Sequence, residues 1–329
     1  VDAERMQPNP PFDPKSEPMS RTKESPMSKK PYVLVTGATV GIGRHAALHL
    51  ASRGFHVIAT GRNAAALAEL ASEGNGDVTP LRLDVNDAAS IASAVEVVDR
   101  ITSGHGVDVL VNNAGYGELA PVEMVDDADL RAQFETNVFG LMAVTRAFLP
   151  RMRERGEGRI INVSSLGGTF TAPLFGVYSA SKYAVEALSD ALRIELHPFG
   201  IRVSMIEPGP VKSQFTTRSI ASASKYLGPD SPYAEVMKRL IALSPRSDRL
   251  APGPIVTSRA IHRAATSRRP RARYRVVWFA RASVAVLRFM PTSWSDALLR
   301  RVVHLTPRHV GAGTPVRPLD AARTSRVAA

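Results

Sequence analysis

Tyr178 and Lys182 stand four residues apart in Tyr178-Ser-Ala-Ser-Lys182, within a run whose apolar residues keep helical spacing from Val177 to His197. One turn of helix puts both side chains on one face. A phenol titrates near ~10 in water and trades protons poorly at neutral pH. A neighbouring ammonium favours the phenolate, and reaching pH 7 takes ~3 units, or ~4 kcal/mol of differential stabilisation. Taken alone the pair says little, because helix surfaces often produce Tyr-x-x-x-Lys. Thirteen residues upstream, Ser165 closes the apolar run Ile160-Ile-Asn-Val-Ser-Ser165. Its hydroxyl could hold an oxygen opposite the phenol, or it could cap a turn, the usual task of serine after a strand.

A second chemical feature lies near the start. The apolar run Tyr32-Val-Leu-Val-Thr36 ends in Gly37-Ala-Thr39-Val-Gly41-Ile42-Gly43, and a helical pattern follows over Ile42–Arg53. Glycine is needed where a chain turns sharply and where backbone must approach a phosphate without a Cβ between. The opening of a helix then presents free N–H groups and a positive dipole end to a pyrophosphate. The spacing is G-x3-G-x-G, not G-x-G-x-x-G. Its place between a strand and a helix favours dinucleotide binding over a bare turn.

The second strand bears on which dinucleotide. An NAD site usually ends this strand with a carboxylate on the ribose 2′-hydroxyl. Here the end reads Ala59-Thr-Gly61-Arg62-Asn63, with no acid. An Arg62 guanidinium suits a 2′-phosphate through charge-assisted bonds, so NADP(H) is expected over NAD(H). The alternative is a solvated arginine opening a helix. An oxidised nicotinamide near Tyr178 would add its positive charge to that of Lys182 and draw the phenol toward neutrality.

These residues need a scaffold. Apolar spacing predicts strands over 32–36, 55–60, 78–83, 107–112, 159–164 and 201–206, and helices over 42–53, 64–73, 88–103, 130–153 and 177–197. A further helix near 254–267 and a strand near 274–277 complete the pattern. Strands alternating with helices of this length mean an α/β, doubly wound, Rossmann-type parallel sheet in a single domain.

Together the motifs resemble the short-chain dehydrogenase/reductase family, in order and spacing: Thr36–Gly43, Asn112-Asn113-Ala114-Gly115, Asn137, Ser165, Tyr178 with Lys182, and Pro208-Gly209. The likeness covers about residues 30–215 and is nearest to the branch acting on steroids, retinoids and other lipophilic alcohols or ketones. It implies Tyr178 as general acid/base, with Lys182 lowering its pKa and binding the nicotinamide ribose. It implies Ser165 as the group orienting the substrate oxygen, and Asn137 as holder of a relay water. Asp84 and Val85 would contact adenine, and Asn113, Ala114 and Gly115 would wall the adenosine ribose. The segment Pro208-Gly209-Pro-Val211-Lys-Ser213 would flank the nicotinamide. Ser213 stands where the family usually has threonine, and Val40 stands where NADP-dependent members often carry a basic residue. The resemblance also implies a homo-oligomer.

The rest of the chain bears on substrate and setting. Phe170, Pro173, Leu174 and Phe175 between Ser165 and Tyr178 suggest an apolar pocket or, equally, packing on the next helix. Phe215 and Tyr226 fall in the segment after Pro208, which the resemblance makes a lid. Residues 246–329 hold 17 arginines and three acids, a net of +14, against −2 for the first 245. The run Arg268–Arg275 is expected as a solvated connector rather than a membrane patch or a nucleic-acid site, nucleic acid being the least favoured. Amphipathic helices over 276–290 and 294–305 could lie on a membrane, or cover a sheet edge or form a dimer contact. Residues 1–28 read as an unfolded leader, 29–305 as the domain with its basic C-terminal helical extension, and 306–329 as a flexible basic tail. No apolar run reaches the ~18 residues of a membrane span. The eight histidines show no metal-ligand spacing, and cysteine is absent. The expectation is an oxidoreductase for a secondary alcohol or ketone, cytoplasmic or peripheral at a membrane. The competing class is a non-catalytic NADP(H) sensor whose basic end docks elsewhere.

Overall fold

The computed structural model describes residues 30–277 and, beyond them, 286, 289–303, 305 and 310. The expected leader, all of the expected tail but residue 310, and most of the 276–290 helix therefore lie outside the described residues. Strands β1 (Tyr32–Val35), β2 (His56–Gly61), β3 (Val78–Arg82), β4 (Val109–Asn112), β5 (Gly158–Val163), β6 (Ile201–Glu207) and β7 (Arg273–Arg275) form one sheet in the order β3-β2-β1-β4-β5-β6-β7. Every neighbouring pair is parallel.

Alternation along each strand feeds two cores. Val33 and Val35 point to one face with Leu50 of α1 (Gly41–Ala51), Leu67 of α2 (Ala64–Glu73) and Ile261 of α9 (Ile255–Thr266). Leu34 and Ile160 point to the other, with Val98 of α3 (Ala88–Thr102), Phe148 of α5 (Leu141–Arg155) and Leu192 of α6 (Gly176–Glu195). Burial on both faces is why β1 and β4 read as unbroken apolar runs.

Three expectations change. The single helix expected over 130–153 is α4 (Asp127–Phe134), a π-helical turn at Glu135–Gly140, and then α5. Apolar periodicity runs through that turn, so spacing could not reveal it. The turn places Asn137, wholly buried, against the loop after β4. Secondly, the segment after Pro208 is helical: α7 (Gln214–Ala223), a short 3-10 turn and α8 (Ala234–Leu250). Tyr226 is fully buried there among Leu119, Val236 and Met237 and forms the centre of the lid's own small core. Thirdly, the basic connector is partly consumed by structure. Arg273 in β7 pairs with Glu186 at 3.0 Å and Asp190 at 2.5 Å, and Arg275 pairs with Glu207 at 2.8 Å. Glu207 is 0% exposed, and buried carboxylates at the end of β6 and along α6 require cations beside them. The last described helix, α10, spans Thr292–Val302.

Candidate active site

Strand order reverses between β1 and β4, which opens a crevice at their carboxyl ends. The Gly37–Gly43 turn fills it on one side. Gly37 sits at φ +65°, and a Cβ there would lie 2.9 Å from Ala114 Cα. A Cβ on Gly43 would lie 2.3 Å from Gly37 O and 2.4 Å from Asn113 Nδ2. Only glycine fits either place. Thr36 stitches this loop to the next: its hydroxyl accepts from Asn113 N at 2.9 Å and from Ala114 N at 3.0 Å. Asn113 Nδ2 donates back to Thr36 O at 3.0 Å and Gly37 O at 3.2 Å. At the N-terminus of α1, Val40 offers no side-chain cap and the first turn carries no acid. Its leading N–H groups are left for an outside acceptor, which is what a pyrophosphate needs.

A cavity of about 1230 Å³ runs from this cradle, past Tyr178, to the lid. Arg62 lies exposed at its rim beside Asn63, whose side chain caps α2 by accepting from Ala66 N at 3.1 Å. Every residue expected at the cofactor lines this cavity, and so does Ser165. Asn137 lies behind the wall. Its Nδ2 donates to Tyr116 O at 2.9 Å and to Ser181 Oγ at 3.0 Å, while its Oδ1 accepts from Tyr116 N at 3.1 Å. Both amide hydrogens are thus committed to bracing the Tyr116 loop against α6.

Tyr178 and Lys182 share the inner face of α6, both buried. Lys182 Nζ donates to Val163 O at 2.9 Å and stands 6.0 Å from the centroid of the Tyr178 ring. Ser165 accepts from Gly167 N at 3.0 Å as a turn serine, and its side chain and the Tyr178 ring both flank Gly167 on the cavity wall. The direction of the pKa shifts differs from the expectation. Burial pushes the Tyr178 phenol up to about 12, against a downward pull from Ser165. Burial pushes Lys182 down to about 8, against an upward pull from Glu186 one turn on. In the chain by itself, desolvation outweighs both of these pulls, because loss of water penalises each charged form.

The far end of the cavity is apolar. Phe215 of α7 stacks at a tilt on Tyr178, ring centroids 5.2 Å apart, and Phe175 meets it edge-on at 6.4 Å. Phe170, Leu119, Ile220 and Leu240 extend that wall. Leu174 turns away at φ +68° into the lid core, with Leu174 O accepting from Ala120 N at 2.8 Å. Ser213 caps α7 by accepting from Phe215 N at 3.3 Å. The lid is clasped by Lys225, which pairs with Asp129 and lies 3.6 Å from Glu118.

Some of this escaped sequence reasoning. Glu186 and Asp190 continue the four-residue stripe of Tyr178 and Lys182, a signal that spacing did offer. Lys225 and Gly117, whose Cβ would lie 2.4 Å from Phe215 Cζ, carried none. The histidines near the loop are packing groups: His45 bonds Ser258 at 2.8 Å, His49 meets His262 edge-on at 5.8 Å, and His56 bonds Thr79 at 2.8 Å. Among the described residues no three His, Cys, Asp or Glu side chains form a metal-holding group.

Known proteins resemble this chain. The chain matches the short chain dehydrogenase family over residues 31–223. It is 37% identical over 217 residues to a 3-ketodihydrosphingosine reductase of Bacteroides thetaiotaomicron, covering 66% of this chain and 77% of the relative. It is 40% identical over 204 residues to human 17-beta-hydroxysteroid dehydrogenase type 1, covering 59% and 61%. Among solved structures it is similar to a closed serine dehydrogenase complexed with NADP+, with a TM-score of 0.61 and 32% identity over 71% of this chain and 89% of that one. The glycine cradle, the Ser165–Tyr178–Lys182 cluster and these matches agree, and the chain belongs to the short-chain dehydrogenase/reductase family.

Proposed function

We propose that this chain catalyses reversible hydride transfer between NADP(H) and a lipophilic secondary alcohol or ketone. The observation that carries the reading is one continuous cavity with a phosphate cradle at one end, an apolar lid at the other, and Tyr178, Ser165 and Lys182 between them. When bound, the dinucleotide supplies or accepts the hydride at nicotinamide C4. Gly41, Ile42 and Gly43 would hold its pyrophosphate through backbone N–H groups. Arg62 would pair with the 2′-phosphate, and Asp84 and Val85 would flank the adenine.

In the direction of reduction, Ser165 donates a hydrogen bond to the carbonyl oxygen and keeps it beside the phenol. Tyr178 then passes its proton to that oxygen as the carbon is reduced. A phenol held protonated by burial is ready for that step. Lys182, with its Nζ 6.0 Å from the Tyr178 ring centroid, stabilises the phenolate left behind, and Asn137 fixes the loop that walls both. Phe215, Phe175 and Phe170 shed water and favour an apolar substrate. Two relatives support the substrate class, since a ketodihydrosphingosine and a hydroxysteroid are both lipophilic. The NADP+ complex of the serine dehydrogenase supports the cofactor.

The test is a panel of long-chain, steroid and small polar ketones, and the matching alcohols, offered with each nicotinamide and followed by the absorbance of the reduced form. The expected result is turnover of an apolar ketone with kcat/KM at least about tenfold higher for NADPH than NADH, the scale of one charge-assisted contact. NADPH binding without turnover of any member would favour the sensor reading instead.

A further inference from the structure

We propose that α10 and the neighbouring rim of the lid dock this chain onto a bilayer surface carrying anionic phospholipid, with the mouth of the cavity facing it. Helix α10 buries none of its residues. Trp294, Leu298 and Val302 recur every four residues and form one stripe, 69%, 45% and 60% exposed. Phe289, just before the helix, is 85% exposed. An apolar stripe of this kind left in water marks a contact surface.

The adjoining face of α10 shows where the stripe sits. Ser295 and Leu299 face the body and, with Phe170, line a second cavity of about 670 Å³. Phe170 also lines the main cavity. Just past the helix, Leu305 packs on the lid core around Tyr226. The stripe therefore rides on the substrate end of the molecule, not on the cradle end. Leu243 of α8, exposed and lining the main cavity, belongs to the same end.

Charge selects the occupant. Arg300 and Arg301 close α10, both exposed, and Asp296 is its lone acid. An in-plane helix with an apolar stripe, Arg301 at the edge of that stripe three residues on from Leu298, and Arg300 on its polar side suits the boundary between headgroups and acyl chains, where anionic lipid attracts the guanidinium groups. A second copy of the chain would cover the stripe but bring four arginines to the contact against two copies of Asp296. A nucleic acid would welcome the arginines but leave the stripe in water. Docking rests on this surface alone and stands whether or not the substrate reading holds. Where both hold, an apolar substrate dissolved in the bilayer reaches the mouth without crossing water.

The test uses the full chain carrying Trp278→Phe, so that Trp294 is its single tryptophan. The probes are vesicles of phosphatidylcholine alone and of phosphatidylcholine with phosphatidylglycerol, and a DNA duplex. The expected result is cosedimentation with the anionic vesicles at least several-fold stronger than with the neutral ones, with a blue shift of Trp294 emission and its quenching by brominated acyl chains. Arg300→Gln with Arg301→Gln should lower anionic binding several-fold, with the circular dichroism spectrum unchanged. Absence of binding, binding with Trp294 emission unmoved, equal binding to neutral vesicles, or a Trp294 shift produced by DNA or by self-association alone would each overturn the proposal. Because the readouts need no turnover, failure here leaves the oxidoreductase reading untouched, and failure of the ketone panel leaves this result untouched.

Discussion

At the Gly37–Gly43 end of the cavity, position is enforced by backbone; at the Phe215 end, by side-chain packing. The cradle has Thr36, Asn113 and Asn137 each tying two segments together through hydrogen bonds that are buried or partly buried. The lid has a small apolar core around Tyr226 and a clasp at Lys225 that is about one third exposed. A hydrogen-bonded backbone cradle tolerates almost no change of shape, whereas an apolar contact can slide and re-form. The difference suits the two ligands. A dinucleotide presents the same phosphates each time, and a lid that must admit a substrate has to give way.

The contrast can be broken most severely at Gly43. Gly43→Val drives a branched side chain into Gly37 O and Asn113, and nucleotide affinity should fall by more than about 100-fold, as for overpacking and backbone displacement together. Binding by calorimetry checks it, and near-normal affinity would mean that the cradle yields as the lid does. Arg62→Ala should weaken NADPH by about tenfold and leave NADH unchanged, the loss of one charge-assisted contact. Equal effects on both nicotinamides would remove Arg62 as the phosphate reader.

Lys182 tests whether the buried ammonium strains the folded chain. Its pKa falls from 10.5 to about 8 on folding, so below pH 8 the folded chain carries the charge at a cost of up to about 3 kcal/mol. Between pH 8 and 10.5 the unfolded chain still holds the proton that the folded chain has released. Stability therefore rises with pH through that window, and the cost is gone above it. Lys182→Met should raise the melting temperature by a few degrees at pH 7, less any loss from the bond to Val163, with the advantage fading toward pH 10. A variant destabilised equally at both pH values would contradict the strain. On the lid side the effect should be smallest: Phe215→Ala should change KM several-fold for bulky ketones with kcat and NADPH affinity little altered. A large fall in NADPH affinity would show that lid and cradle are not separable.

Much of the cradle was legible because its chemistry is local. Glycine spacing after Thr36, and the four-residue interval from Tyr178 to Lys182, are properties of neighbouring residues. The parallel sheet covered on both faces followed from the alternation of strands with helices. What stayed hidden depends on contacts made across the fold. The π turn around Asn137 keeps apolar spacing on both sides, so only its bonds to Tyr116 and Ser181 mark it. Arg273 and Arg275 look like surplus charge until Glu186 and Glu207 are found beside them. The sign of the Tyr178 shift depends on burial, which no spacing reports.

The central claim is that the Tyr178 hydroxyl delivers the substrate proton. The direct measurement is single-turnover oxidation of NADPH by the panel's best ketone in Tyr178→Phe, alongside NADPH affinity for the same protein. Removal of the general acid should slow the step by at least about 1000-fold while affinity stays within a few-fold of the unaltered chain. Oxidation within about tenfold of the unaltered rate would contradict it.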